Sequence, residues 1–302
     1  MRPPASTPLR VGLVGAGARG RARAVMLAAL PGVRFVGIAD VLAERTDRLA
    51  AAWGTTSYPS SEALLEETDV VVMAVPTREH FPLAEAAAAR GVHVFLGWPP
   101  TTSLDEGERL ARRAEEAGIE IGAARPLPVE GLLTTQPAGW TPRLITLDMV
   151  AGPENDGEVP AWPRHLAGAL DLCIALARRS EVQRLEAEAV RGPARELHAA
   201  ALSLRFRNGA FAQALIRNAA SGGRSFRLVA VSPDGVAEAD ALEGPLRAVG
   251  TPNPPAGAAF DPPPVEMAAF FDALAAGRPA PFSILDGLSL MRLVERLMQR
   301  LR

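Results

Sequence analysis

Residues 10–40 read RVGLVGAGARGRARAVMLAALPGVRFVGIAD. The apolar segments Leu9–Val14 and Val33–Ala39 on either side of the glycines predict two buried strands. A helix is predicted to follow the glycines and to end near Leu30. This is the pattern of a β-α-β unit in a parallel sheet, with Asp40 at the tip of its second strand.

The spacing Gly15-Ala-Gly17-Ala-Arg-Gly20 predicts a loop that binds a pyrophosphate. Gly15 allows the tight turn, Gly17 lets the phosphates approach the backbone, and Gly20 lets the helix pack on the strand. The N–H groups at the helix start then face the phosphates. Asp40, 20 residues after Gly20, can accept hydrogen bonds from ribose hydroxyls. The alternative is a glycine-rich turn that binds no ligand.

The composition of the chain argues against several classes of function. The chain has 302 residues, 48% of them apolar, and a net charge of −2, so nothing predicts nucleic acid or an anionic membrane as a partner. No apolar run reaches the roughly 18–20 residues that span a bilayer, and MRPPASTPLR at the N-terminus lacks the apolar core of a signal peptide. Cys173 is the single cysteine, and no spacing of histidines and acids predicts a metal site. We therefore expect a cytoplasmic protein that acts on small molecules.

Strands and helices alternate up to about residue 122. Further strands are predicted at 69–75, 92–96 and 119–122, and further helices at 41–53, 61–67, 81–90 and 104–117. Such alternation predicts an α/β fold with a doubly wound parallel sheet.

The pattern changes near residue 123. Proline and glycine are frequent over 125–164, a helix is predicted at 164–178, and strands dominate from Val182, with Asn208–Gly209 as a hairpin turn. Two helices are predicted at 265–276 and 285–301. We expect two domains: a dinucleotide-binding Rossmann domain of residues 1–122, and an α+β domain of residues 123–302 with an open, largely antiparallel sheet.

The order of the motifs resembles the glucose–fructose oxidoreductase, inositol dehydrogenase and rhizopine catabolism (Gfo/Idh/MocA) family. The resemblance covers nearly the whole chain. It rests on VGLVGAGARG, on GIAD, on AVPTREH (residues 74–80) and on GVHVFLGWPP (residues 91–100). The hairpin LRFRNGAFA and the closing AAFFDALAAGRPAPFSILDGLSLMRLVERL also look like the family's sheet and final helices.

The resemblance implies a nicotinamide cofactor, substrates that are often sugars or polyols, and homodimers or homotetramers built on the C-terminal sheet. The residues that it places against the cofactor are Gly15, Gly17, Ala18, Arg19, Gly20, Asp40, Val75, Pro76, Thr77, His80, Gly97, Trp98 and Pro99. Arg19 reaches either a phosphate or solvent, and His80 either lines the site or caps the next helix. Trp98 stacks on a ring in the site, plugs the cleft, or belongs to the core or an interface.

Two catalytic motifs of the family differ in this chain. The family's Glu-Lys-Pro corresponds to Gly97-Trp98-Pro99, and all 32 basic residues are arginines. On the family's catalytic helix Asp171 matches the aspartate, but Gly168 stands at the histidine and Arg164 at the acid. His165, one turn before Gly168, can serve as the base unless the helix register differs by a few residues. Loss of acid–base help costs about 10²–10⁴ in rate, which leaves a slow enzyme or an inactive protein.

These observations predict an oxidoreductase that transfers a hydride between NAD and a small hydroxy or keto compound. His165 and Asp171 are the catalytic candidates, and Trp98, Arg125, Arg164 and Gly168 are the candidates for the substrate cleft. Arg125 contacts either the substrate or an acid at a domain interface. NAD is favoured over NADP because Asp40 would repel a 2′-phosphate. The alternatives are a catalytically silent member that binds the dinucleotide as a sensor or structural subunit, and an enzyme that recycles a bound cofactor between two substrates.

Overall fold

A computed structural model describes residues 8–127, 129, 132–133, 139–151, 161–193, 196–218, 225–240, 247–249 and 265–301 of the chain. The chain packs into two compact units. One comprises Met1–Arg125 and Pro263–Ser289, and the other comprises Pro126–Pro262 and Leu290–Arg302.

The first unit contains a parallel sheet of six strands in the order β3-β2-β1-β4-β5-β6. Its strands are β1 (Leu9–Val14), β2 (Val33–Ala39), β3 (Thr56–Ser57), β4 (Val70–Met73), β5 (His93–Leu96) and β6 (Ile121–Ala123). The intervening helices are α1 (Ala18–Ala29), α2 (Ala43–Trp53), α3 (Ser61–Leu65), α4 (Thr77–Ala88) and α5 (Leu104–Ala117). Strand β4 is buried along its whole length, as expected for a sheet covered on both faces. The predicted doubly wound sheet is confirmed.

Helix α4 begins earlier than the sequence predicts. The sequence predicts a helix from residue 81, whereas the helix starts at Thr77, directly after Pro76. Pro82 lies inside the helix. A proline there removes one backbone N–H, the donor to the carbonyl of Arg78, and the remaining turns can still form. His80 therefore lies on the first helical turn.

The second unit contains a seven-stranded sheet in the order β13-β12-β11-β7-β10-β9-β8. Its strands are β7 (Leu144–Ala151), β8 (Val182–Arg191), β9 (Leu197–Phe206), β10 (Phe211–Asn218), β11 (Ser225–Ser232), β12 (Gly235–Ala239) and β13 (Arg247–Ala248). All neighbouring pairs are antiparallel except β7 with β10. The predicted α+β unit with a largely antiparallel sheet is confirmed, including the hairpin at Gly209, where φ is +83°.

Helix α6 (Ala161–Leu176) packs against this sheet. It starts three residues before the predicted residue 164 and ends before the predicted residue 178. Alternation along β10 buries Ala212, Ala214 and Ile216, while Gln213 and Leu215 on the opposite face are exposed. One face of the sheet thus belongs to the core and the other is open in this chain.

Two further helices follow, α7 (Val265–Ala275) and α8 (Ile284–Arg300). Helix α7 packs on the sheet of the first unit, where Met267, Phe270 and Phe271 share one core with Val11 and Leu27. The ring of Phe270 lies 5.5 Å from that of Phe95. A Cβ atom at Gly122 would lie 2.6 Å from the Phe270 ring, so strand and helix are in close contact. Helix α7 therefore completes a face of the sheet that α1 and α2 cover only in part.

Within the described residues, no helix has both the length and the apolar character needed to cross a bilayer. Much of the stretch 125–164, in which proline and glycine are frequent, lies outside the described residues.

Candidate dinucleotide-binding site

The glycine loop between β1 and α1 has the geometry that its sequence predicts. Gly15 has φ of +103°, and a Cβ atom on it would lie 2.6 Å from the carbonyl oxygen of Ala74. A Cβ atom on Gly20 would overlap the carbonyl oxygen of Gly15. Gly17 has nothing within 4 Å of its Cβ position, and as the N-cap of α1 it contributes no side-chain hydrogen bond. The loop is thus closed on its inner side and open at the helix start, where phosphates bind.

Asp40 is fixed beside this loop at the tip of β2. Its Oδ2 accepts a hydrogen bond from the backbone N–H of Ala16 (2.7 Å), and its Oδ1 accepts one from the N–H of Leu42 (2.9 Å). A carboxylate offers about four acceptor positions, so ribose hydroxyls can still bind. Asp40 is half-buried, which keeps the carboxylate reachable. The sequence predicted the ribose contact but not that this acid also holds the glycine loop.

The carboxyl ends of β1, β4 and β5 meet at one edge of the sheet. Gly15 approaches Val75, whose Cγ1 would lie 3.2 Å from a Cβ atom on the glycine. The ring of His80 lies beside Gly97, with 3.5 Å between the Cβ position of the glycine and Cε1. Strand order reverses at β1 and β4, and ligands of such sheets bind at that switch point. These loop residues therefore lie where a dinucleotide would run.

The first turn of α4 carries two buried polar atoms with no hydrogen-bond partner in the described structure, Thr77 Oγ1 and His80 Nε2. His80 is only 1% exposed, and its Nδ1 lies 3.1 Å from the carbonyl oxygen of Pro100. Burial lowers the pKa of His80, and the charge of Arg19 acts in the same direction. The imidazole is therefore neutral at pH 7. Together with the glycine loop and Asp40, this polar edge fits a dinucleotide.

Arg19 and Trp98 are two further residues that the sequence predicts at this site. Arg19 is exposed on the first turn of α1, and whether it reaches a phosphate or solvent stays a prediction. Trp98 is half-buried, and its Cζ3 would lie 3.8 Å from a Cβ atom on Gly287 in the first turn of α8. No local sequence signal relates residues 98 and 287, so this contact was not predictable.

Arg125 is held within the first unit. Its guanidinium lies 4.7 Å from the ring centroid of Phe282, and its backbone N–H donates to Glu266 Oε1 at 3.1 Å. Neither contact, with Glu266 or with Phe282, is predicted by the sequence. A role of Arg125 toward a substrate stays a prediction.

The other predicted residues lie on α6 in the second unit. His165 and Asp171 are both buried, each with 6% exposure, and Arg164 Nε donates to the carbonyl oxygen of Pro126 at 3.0 Å. A Cβ atom on Gly168 would overlap the side chain of Leu127. The position that the resemblance assigns to a histidine is therefore filled by a leucine from another segment.

Cys173 on the same helix is fully buried. Burial and the neighbouring charge of Asp171 raise the pKa of this thiol to about 12. It is a small core residue, and it cannot act as a nucleophile near neutral pH. Among the residues that the structure describes, no three histidines, cysteines or acids are grouped to hold a metal ion.

Fold and loop geometry define the first unit as a dinucleotide-binding Rossmann module. Residues 9–123 match the family model described as "Oxidoreductase family, NAD-binding Rossmann fold". The first unit therefore matches the Gfo/Idh/MocA family model, which is the family that the motifs resemble.

Curated relatives match over the same module. A UDP-N-acetylglucosamine 3-dehydrogenase of Acidithiobacillus ferrooxidans is 35% identical over 113 residues, which cover 37% of this chain and 36% of that protein. A dTDP-3,4-didehydro-2,6-dideoxy-alpha-D-glucose 3-reductase of Streptomyces antibioticus is 35% identical over 119 residues, 38% of this chain and 36% of that protein. The matches thus span about a third of the length of these relatives.

A solved structure extends the similarity of fold to the whole chain. The crystal structure of UDP-N-acetylglucosamine 3-dehydrogenase GnnA from Acidithiobacillus ferrooxidans superposes with a TM-score of 0.79 at 23% identity, covering 96% of each chain. At that identity the likeness shows a shared fold, and both units of this chain belong to it.

Proposed function

We propose that this protein is an NAD-dependent oxidoreductase that transfers a hydride between nicotinamide and a CH–OH or C=O carbon of a small molecule. The observation that carries the proposal is the carboxylate of Asp40, fixed by two backbone N–H groups beside the open start of α1. Matches to named dehydrogenases and reductases over the same module support it.

NAD is preferred over NADP in this proposal. The negative charge of Asp40 would oppose a ribose 2′-phosphate. The next two residues, Val41 and Leu42, are exposed and apolar, so neither provides a cation for that phosphate. Arg45 is the first arginine beyond them and lies on α2, about one helical turn on. We expect NADH to bind at least tenfold more tightly than NADPH.

Each group of residues has a proposed role. The loop from Gly15 to Gly20 binds the pyrophosphate, Asp40 binds the adenosine ribose, and the bound NAD supplies the carbon that accepts or donates the hydride. Trp98 lies at the nicotinamide end, where it offers a flat apolar surface to a ring. His165 or Asp171 would hold the proton that a carbonyl needs on reduction.

The substrate class that we propose is a sugar, a polyol or a related hydroxy or keto compound. Both relatives named above are enzymes of nucleotide-linked sugars, by their names. Nucleotide sugars therefore belong first in a substrate panel, followed by free sugars, inositols and keto acids.

A catalytically silent dinucleotide-binding protein is the second candidate. Leu127 fills the space at Gly168, and the chain contains no lysine, so two of the family's proton-handling side chains are missing. In that case the protein would bind NADH and turn over no member of the panel.

We also propose that two or four copies assemble through the open face of the seven-stranded sheet. Leu144, Val190 and Leu215 are exposed large apolar residues on its strands, at 39%, 63% and 37%. Light scattering of the parent and of Leu215→Asp tests this, since a dimer through the face should dissociate in the variant. An unchanged mass would refute the assembly surface.

Cofactor titration followed by the substrate panel tests the function. Bound NADH should show a blue-shifted emission, and one substrate class should then oxidise it. His165→Ala and Asp171→Asn should lower the turnover by about 10²-fold or more. His198→Ala is the matched control, because His198 is exposed on β9. NADH binding without turnover, with His165→Ala equal to the parent, would favour the silent alternative, and no binding would refute both.

A further inference from the structure

The segment from Gly97 to Pro100 has few backbone N–H donors. It follows β5 and contains Pro99 and Pro100, neither of which has an N–H to donate. The next residue, Thr101, is fully buried, and its hydroxyl donates to the carbonyl oxygen of Ser103 at 2.8 Å. Side chains from other elements can therefore contribute to the position of the segment before Thr101.

Two other elements, α4 and α8, contact this segment. His80 on α4 places its Nδ1 3.1 Å from the Pro100 carbonyl oxygen. Gly287 on α8 approaches both Pro100, whose Cγ would lie 3.1 Å from a Cβ atom on the glycine, and the Trp98 indole. A side chain at position 287 would displace Pro100 or Trp98.

The two ring nitrogens of His80 have different roles. A carbonyl oxygen can only accept, so Nδ1 carries the proton and donates to Pro100. In the neutral ring Nε2 is then an acceptor, and this buried atom has no partner among the described residues. The first turn of α4 thus holds a histidine whose Nδ1–H reaches the carbonyl oxygen of Pro100 in the 97–100 segment, and the backbone of Pro99 and Val75 also lies near the ring.

We propose that His80 is a positioning residue, which holds the Pro100 carbonyl through Nδ1–H and so determines where Trp98 lies at the nicotinamide end of the site. The expected change in NADH affinity rests on the proposed function, whereas the expected change in the position of Trp98 does not. Burial lowers the pKa of His80 and keeps the ring in the neutral form that this contact uses.

Two amide variants separate this role from simple filling of space. In His80→Asn the side-chain NH₂ can replace Nδ1–H, whereas in His80→Gln the amide reaches the position of Nε2 instead. The fluorescence of Trp98 is obtained for the parent and for each His80 variant by difference. The spectrum of the same protein that also carries Trp98→Phe is subtracted from its own spectrum. We expect His80→Asn to keep the parental Trp98 emission, and His80→Gln and His80→Ala to shift it. NADH Kd should rise about fivefold in the latter two, the effect of one neutral hydrogen bond.

Melting temperatures of all variants show which of them are folded. Equal Trp98 emission in His80→Asn and His80→Gln, or parental emission and NADH affinity in His80→Ala, would overturn the proposal. If the parent binds no NADH, the proposed function fails, but the emission of Trp98 without cofactor still decides the role of His80.

Discussion

Replacing Asp40 by asparagine should impair the site even though the side chains have nearly the same shape. The two carboxylate oxygens accept from two different backbone donors, Ala16 N–H on Oδ2 and Leu42 N–H on Oδ1. An amide has one acceptor oxygen and one NH₂ group. In Asp40→Asn one of the two backbone N–H groups must therefore face the NH₂ group of the asparagine side chain, which is also a donor.

The magnitude follows from these contacts. Hydrogen bonds to a charged acceptor contribute about 1.5–3 kcal/mol each, and a half-buried donor left unpaired costs about 1–3 kcal/mol. The glycine loop should therefore open more often in Asp40→Asn, also without cofactor. Loss of the charge that accepts from the ribose should add to this, so NADH affinity should fall about 10- to 100-fold. The preference for NADH over NADPH should shrink at the same time.

Hydrogen exchange and calorimetry measure the two effects separately. We expect faster exchange of the Ala16 amide in Asp40→Asn without ligand, and weaker NADH binding in the titration. Glu44→Gln is the matched control, because Glu44 is exposed on α2 and the change removes the same charge a few residues away. Parental exchange at Ala16 in Asp40→Asn would refute the double role of Asp40, and parental NADH affinity would refute the ribose contact.

Three further outcomes are expected. Phe270→Ala should lower the free energy of unfolding by about 3–5 kcal/mol in urea titrations, because the ring is 1% exposed; a loss below about 1 kcal/mol would mean that α7 is not part of the sheet's core. Stability should decrease as the pH falls below about 6.5: burial lowers the pKa of His80 and of His93 in the folded state, so the unfolded chain takes up protons first. A flat profile over that range in urea titrations would contradict this. Cys173, with its pKa of about 12 and full burial, should react with a thiol reagent only after denaturant is added, and fast reaction of the native protein would refute its burial.

Local patterns were sufficient for most elements of the fold. The segment from Leu9 to Asp40 combines apolar strands, a glycine loop and a helix, and each of these is decided by residues close in sequence. The hairpin at Asn208–Gly209 is set by its turn residues in the same way. The helix start at Thr77 was missed because several polar residues and Pro82 obscure the helical pattern over its first turns.

Contacts between distant segments could not be predicted from such patterns. The apolar face of α7 is visible in the sequence, but not that it packs against β5 and β6, more than 140 residues earlier. The contact of Glu266 with the backbone of Arg125 and the close approach of Gly287 to Trp98 are equally invisible in the sequence. The sequence predicts where a ligand would lie, whereas the side chains that hold the loops in place are known only from packing.

Trp98 and Gly168 stand where the family has a lysine and a histidine. The two positions differ in how readily they would accept the family's residue. Trp98 is half-buried, so a lysine there can cover the same apolar surface with its stem and keep its ammonium in water. Gly168 is buried under Leu127, and a histidine at that position would overlap the leucine unless the helix moves. Overpacking of this kind costs about 1–3 kcal/mol or more.

Trp98→Lys should therefore melt close to the parent, whereas Gly168→His should melt well below it. Adding Leu127→Ala should restore most of the lost stability, because that change removes the side chain in the way. Thermal melts of the single and double variants measure this coupling directly. If Gly168→His alone were as stable as the parent, Leu127 would not exclude a side chain there, and the missing histidine would need another explanation than packing.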